Sequence, residues 1–185
     1  GLVSLWSAGM FNGATESIVV IPLTQESQLQ DIYTYMGPLD LARLQIKNNS
    51  ILYKVDGKYR SKIGIPPNLA PSIYGCYSSK KERLTIVQYK KTRDSLYFNS
   101  DANVQKEPYK GEVIPIYNNG TMDYSPAVTS SFFELESTSA MRELEVNDTL
   151  NHYHRVYHFS GDKKELDTIA KKLLGLPLKD IVLEN

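Results

Sequence analysis

Short apolar runs that alternate in steps of two, each closed by a turn-forming residue, recur along most of this chain. "SIVVIPL" at 17–23, "IYGCY" at 73–77, "RLTIVQYKK" at 83–91, "EVIPIYNNG" at 112–120 and "SFFELEST" at 131–138 all have this form, as does the opening "LVSLWSAGMFN". A strand points successive side chains to opposite faces, so such runs bury one face and leave the other for solvent or a second layer. Many short strands separated by turns predict a mainly β fold, an antiparallel β-sandwich. "SILYKVDGKYRSKIGI" at 50–65 is expected to be a hairpin turning at Asp56-Gly57, a pair that tolerates positive φ.

One segment has a different period. In "DKKELDTIAKKLLG", Leu166, Ile169, Ala170, Leu173 and Leu174 make a single stripe at helical spacing. Asp162 suits the N-cap, with Glu165 three residues on. Gly175 suits the left-handed position past the end, and Pro177 blocks continuation. A helix is therefore expected over about 162–174, packed on a sheet, with a short turn at "LKDI" after it. The polar stretch 24–47 leaves room for a helix around 28–35 and a turn at 39–44 after Pro38, and 98–111 and 122–130 are expected to be loops.

The 185 residues are enough for one domain with a real core. Lys+Arg and Asp+Glu both number 21, so no basic field points to nucleic acid, and "SSKKER" at 78–83 reads as a solvated turn. No run of 18 apolar residues exists to span a membrane. The one cysteine, Cys76, sits in a strand and is expected to be a buried thiol. The chain opens on Gly1, not on an initiator methionine, and is expected to be a fragment of a longer parent. A periplasmic or secreted location stays open on that account, and strand edges left unpaired offer a route to a homodimer.

All three histidines lie in "NHYHRVYHFSG" at 151–161. In a strand, His152, His154, Val156 and His158 share one face, and Tyr153, Arg155, Tyr157 and Phe159 the other. The aromatic face is the expected core side, which leaves the histidines wet or lining a cavity. H-x-H on a strand can hold a metal, and a carboxylate from another strand could complete it. His152, His154 and Glu136 form that alternative set, a cupin-like reading that lacks the glutamate expected soon after the second histidine. In "SFFELESTS", Glu134 and Glu136 share a face beside Phe132, while Phe133 and Leu135 point away. Two such glutamates repel unless a cation, a histidine or a sugar hydroxyl lies between them, and a solvated sheet face accounts for them equally well. Arg60 and Lys62 share a face of "KYRSKIG", ready to pair with those glutamates or to meet a substrate oxygen. Arg155 and His158 are further ligand-binding candidates. No phosphate loop, dinucleotide fingerprint, serine elbow or CxxC pair is present, and the sequence leaves the cofactor unknown.

Together "KYRSKIGIPP", "LTIVQY", "SFFELESTSAMRELEVNDTLNHYHRVYHFSGD" and "ELDTIAKKLLGLPLKDI" resemble the carboxy-terminal half of a family of uncharacterised bacterial proteins. That family is grouped with the galactose-mutarotase-like, or supersandwich, β-proteins. The resemblance implies a partial supersandwich that binds a carbohydrate or related ligand in a cleft. By analogy with aldose mutarotases it implies Glu134 or Glu136 as base and His152 or His154 as acid, all facing one cleft. The rival reading is a silent interaction module with an exposed apolar patch.

Overall fold

The computed structural model describes residues 1–13, 16–37, 39–92, 96–101, 106–123 and 131–184. Pro38 and the expected loop segments 102–105 and 124–130 lie outside them. The strands in chain order are β1 (Leu2–Val3), β2 (Trp6–Asn12), β3 (Ser17–Pro22), β4 (Tyr33–Thr34), β5 (Leu44–Lys47), β6 (Ser50–Lys54) and β7 (Ser61–Ile65). They continue as β8 (Ile73–Ser78), β9 (Arg83–Tyr89), β10 (Ile114–Asn118), β11 (Phe132–Thr138), β12 (Arg142–Glu143) and β13 (His154–Ser160), before the helix α1 (Lys163–Leu174). Every strand pairing among them is antiparallel.

Two sheets lie face to face, one in the order β2-β11-β10-β7-β4 and the other β13-β9-β8-β3-β6-β5, while β1 and β12 form a small separate ribbon. Ile63, Ile65, Ile114, Ile116, Phe133 and Leu135 of the first sheet meet Val19, Ile21, Ile51, Tyr53, Tyr74 and Val87 of the second in one apolar core. The second sheet is covered on its other face too. Val20, Leu52, Leu84 and Ile86 there receive Leu166, Ala170 and Leu174 of the helix. Each buried leucine of that stripe contributes about 2 kcal/mol. The order is sheet, sheet, helix, the sandwich with a carboxy-terminal helix that the sequence predicts.

The helix begins where its cap requires. The Asp162 carboxylate accepts the Lys164 backbone N–H at 2.7 Å, and Gly175 closes the last turn at φ +72. Gly75 of β8 permits the helix and β9 to approach. A β-carbon there would lie 2.6 Å from the Thr85 carbonyl and 3.3 Å from Leu174 Cδ1.

Two expectations are corrected. Asp56-Gly57 does not close a hairpin. β6 belongs to the six-stranded sheet and β7 to the five-stranded one, so this corner carries the chain from one layer to the other. Asp56 is buried against Arg43 at 2.6 Å, and Gly57 donates its N–H to Asn118 Oδ1 at 2.9 Å. Burial would raise the Asp56 pKa, but the hydrogen bond and charge of Arg43 hold it below the usual carboxylate value. The tight hairpin lies earlier, between β5 and β6, where Asn48 and Asn49 both take positive φ (49 and 54). That is the backbone a two-residue hairpin turn demands. The helix expected around 28–35 is only a single 3-10 turn at Leu29–Asp31, followed by β4. No described helix is long and apolar enough to cross a membrane.

Candidate functional site

The outward face of the five-stranded sheet carries a cleft of about 720 Å³. Its floor follows from register. Glu134 of β11 stands opposite Tyr117 of β10, and Tyr117 stands opposite Lys62 of β7. Two residues along β11, Glu136 faces Ala8 of β2, while Pro115 stands opposite Gly64 between β10 and β7. Small residues around Glu136 leave a hollow, which large rings wall. Trp6 of β2 and Tyr35 line it, and Arg60 lines the same cleft beyond Lys62. Gly64 is needed for this shape: a β-carbon there would sit 2.9 Å from the Tyr35 ring and from its hydroxyl oxygen.

Glu136 is 0% exposed. Its Oε2 accepts the Trp6 indole N–H at 2.7 Å, and among the described residues its Oε1 has no hydrogen-bond partner. Burial pushes its pKa up to about 7, against the opposing pull of the Lys62 charge and with help from Glu134. A buried carboxyl poised near neutrality can both take and give a proton. Lys62 is nearly as buried, and its ammonium lies 5.4 Å from the centres of both the Trp6 and Tyr35 rings. Such placement over ring faces stabilises a cation. Lys62 Nζ donates to Ser100 Oγ at 2.6 Å. Ser100 and the Tyr35 hydroxyl in turn donate to the two oxygens of Glu112, which is fully buried. Burial first, and the Glu112 charge second, drive the Tyr35 phenol far above its ordinary pKa, so it remains a donor.

The histidines are elsewhere. Ser137 points to the opposite side of β11 from Glu136, into the space between the sheets, and its hydroxyl meets both His152 Nε2 (2.8 Å) and His154 Nδ1 (2.9 Å). His158 Nδ1 lies 3.0 Å from Thr85 Oγ1, and its ring meets that of Phe11 edge-on. Burial lowers the pKa of His152, with Lys90 adding to it, and that of His154, with His152 adding to it. His154 and Val156 therefore mark the inner face of β13, the reverse of the expectation, while His158 at the far end of that face is exposed. Phe159 packs instead toward the helix layer. His152 precedes the strand, because pairing with β9 begins at His154 opposite Tyr89. Arg155 lies on the outer face, its guanidinium 4.7 Å from the Tyr153 ring centre.

The cleft thus gathers Glu134, Glu136, Arg60 and Lys62 and leaves out His152, His154, His158 and Arg155. Glu136 and the histidine pair are separated by the strand itself, so the set His152, His154 and Glu136 is not brought together. Among the described residues no three His, Cys, Asp or Glu are grouped as a metal would need. Cys76 is buried and its thiol pushed up to about 12 by that burial, as a structural thiol should be. Sequence reasoning missed Trp6, Tyr35, Ser100 and Glu112. The alternation of "WSAGMFN" does place Trp6, Ala8 and Met10 on one face, and a tryptophan on an exposed face was the available signal.

A family of unknown function (DUF6786) matches residues 1–184. The chain belongs to that family. No curated protein and no solved structure matches it.

Proposed function

We propose that this chain binds a carbohydrate in the cleft over the five-stranded sheet, and that Glu136 moves a proton at the sugar ring in an aldose-epimerase-like reaction. Glu136 carries the reading. A carboxyl is held under an indole at the floor of an aromatic-walled cleft, with one oxygen left unpartnered. Aromatic rings stack on the apolar faces of pyranose rings, and carboxylates accept from their hydroxyls. The likeness in sequence to galactose-mutarotase-like proteins supports the same reading, though it assigns the acid to a histidine. With His152 and His154 on Ser137 between the sheets, that role passes to Lys62. In this scheme Glu136 Oε1 takes the proton of the anomeric hydroxyl, the bond from C1 to the ring oxygen breaks, and a Lys62 N–H protonates that oxygen. The open aldehyde turns its other face, and the same two transfers run backwards to close the ring.

Anomer exchange of common aldoses, followed by saturation-transfer NMR, tests this. The chain should accelerate exchange of at least one aldose, and Glu136→Gln should lower that rate by about 100-fold or more, the usual worth of a general acid–base group. Equal rates in the two proteins, or no binding of any sugar at millimolar concentration, would sink the proposal.

A further inference from the structure

The charges of the cleft fall into two lanes. Lys62 and Arg60 lie two residues apart on the β7 side, and Glu134 and Glu136 two residues apart on β11, with Tyr117 of β10 between the lanes. Neighbouring strands lie about 4.8 Å apart, so the lanes are separated by about 10 Å at the backbone. Tyr117 does not bridge them, because its hydroxyl donates to Asn119 Oδ1 at 3.1 Å. Among the described residues Arg60 and Glu134 form no ion pair with any group. Among the described residues the Lys62 ammonium spends one N–H on Ser100 and donates to no other group. Opposite charges held apart on one face are a site for a ligand that spans them.

Resting on the carbohydrate reading above, we infer that the sugar is anionic, its carboxylate or phosphate meeting Arg60 and Lys62 while its hydroxyls meet Glu134 and Glu136. The guanidinium fork fits two oxygens of a carboxylate or phosphate at once, and an ammonium adds a point charge beside it. A neutral sugar would leave the cationic lane without a counter-charge. An amino sugar would favour the acidic lane alone.

Isothermal titration with D-glucuronate, D-galacturonate, D-glucose, D-galactose, glucose 6-phosphate and D-glucosamine tests this. An anionic sugar should bind about tenfold or more tighter than its neutral counterpart, the worth of one or two charge-assisted bonds. Added salt should weaken the anionic sugar selectively. In Arg60→Ala, with thermal melting unchanged, the ratio of anionic to neutral affinity should fall toward one. A preference for the uronates identifies the carboxylate as the group read, and a preference for glucose 6-phosphate identifies the phosphate. Equal binding of glucuronate and glucose, or tighter binding of glucosamine, overturns the inference and leaves the carbohydrate reading standing. Binding of none of the six overturns both.

Discussion

Glu136 ties stability to pH with a definite sign. Its pKa in the fold is raised from 4.5 to about 7 by burial, so between those values the folded chain holds a proton that the unfolded chain has released. The stabilisation this proton gives is complete below pH 4.5 and is lost as pH rises through 7. Glu136→Gln removes that loss. At pH 8 the variant should be more stable than the parent by on the order of 3 kcal/mol, and at pH 4 by little, as urea unfolding at the two pH values would measure. A gain that does not grow with pH would contradict the burial argument. His152 and His154 act in the opposite sense. Their pKa values are lowered, so their contribution is present above 6.5 and disappears as pH falls. Ser137 sits between them and has one proton to give, so it donates to one imidazole and accepts from the other. Ser137→Ala should leave two half-buried ring nitrogens without partners and cost about 1–3 kcal/mol in the same measurement at neutral pH.

Two glycines set the geometry of whole elements. At Gly75 an added β-carbon would meet the Thr85 carbonyl at 2.6 Å, so β9 and the helix must both move. Gly75→Ala should cost about 1–3 kcal/mol, the usual penalty of overpacking, and raise amide exchange along 163–174 more than in β10 and β11. A uniform rise across both sheets would mean that the helix is not separately loosened. At Gly64 the crowding is with the Tyr35 ring, so Gly64→Ala should weaken sugar binding more than it lowers the melting temperature. At this scale the sequence was read well where one period ruled and poorly where two layers competed. Phe133 and Leu135 against Glu134 and Glu136 were legible because one face of β11 is core and the other open. The histidine face of β13 was not, because the six-stranded sheet is covered on both sides, by the other sheet and by the helix. Alternation then says that two faces exist, not which is inner. Asp56-Gly57 misled for a related reason. A turn pair shows that the chain bends, while the partner sheet of the following strand is fixed by packing far away.

For the molecule as a whole, the cleft is assembled from distant segments. Trp6, Tyr35, Lys62, Ser100 and Glu136 come from five separate stretches, and of these only the glutamate and the lysine were expected from the sequence. The register of β2 on β11, which puts Ala8 beside Glu136, cannot be read from either segment alone. Among the described residues both sheets end in strands with one side unpaired, β2 and β4 in one and β13 and β5 in the other. A second copy could add to such an edge. Sedimentation equilibrium across a hundredfold concentration range would show a mass that rises toward twice 20.9 kDa if it does.

The bond from Trp6 to Glu136 spans 130 positions of the chain. Closing so long a loop is entropically slow, and contacts of this kind tend to delay folding. Trp6 is also the one tryptophan of the chain, so its fluorescence is an intrinsic clock for that closure. In stopped-flow refolding, far-ultraviolet circular dichroism should recover first and the indole signal last. An indole signal that leads would mean that the first and eleventh-hour strands of the sheet meet early, and that the cleft is part of the folding nucleus and not its final product.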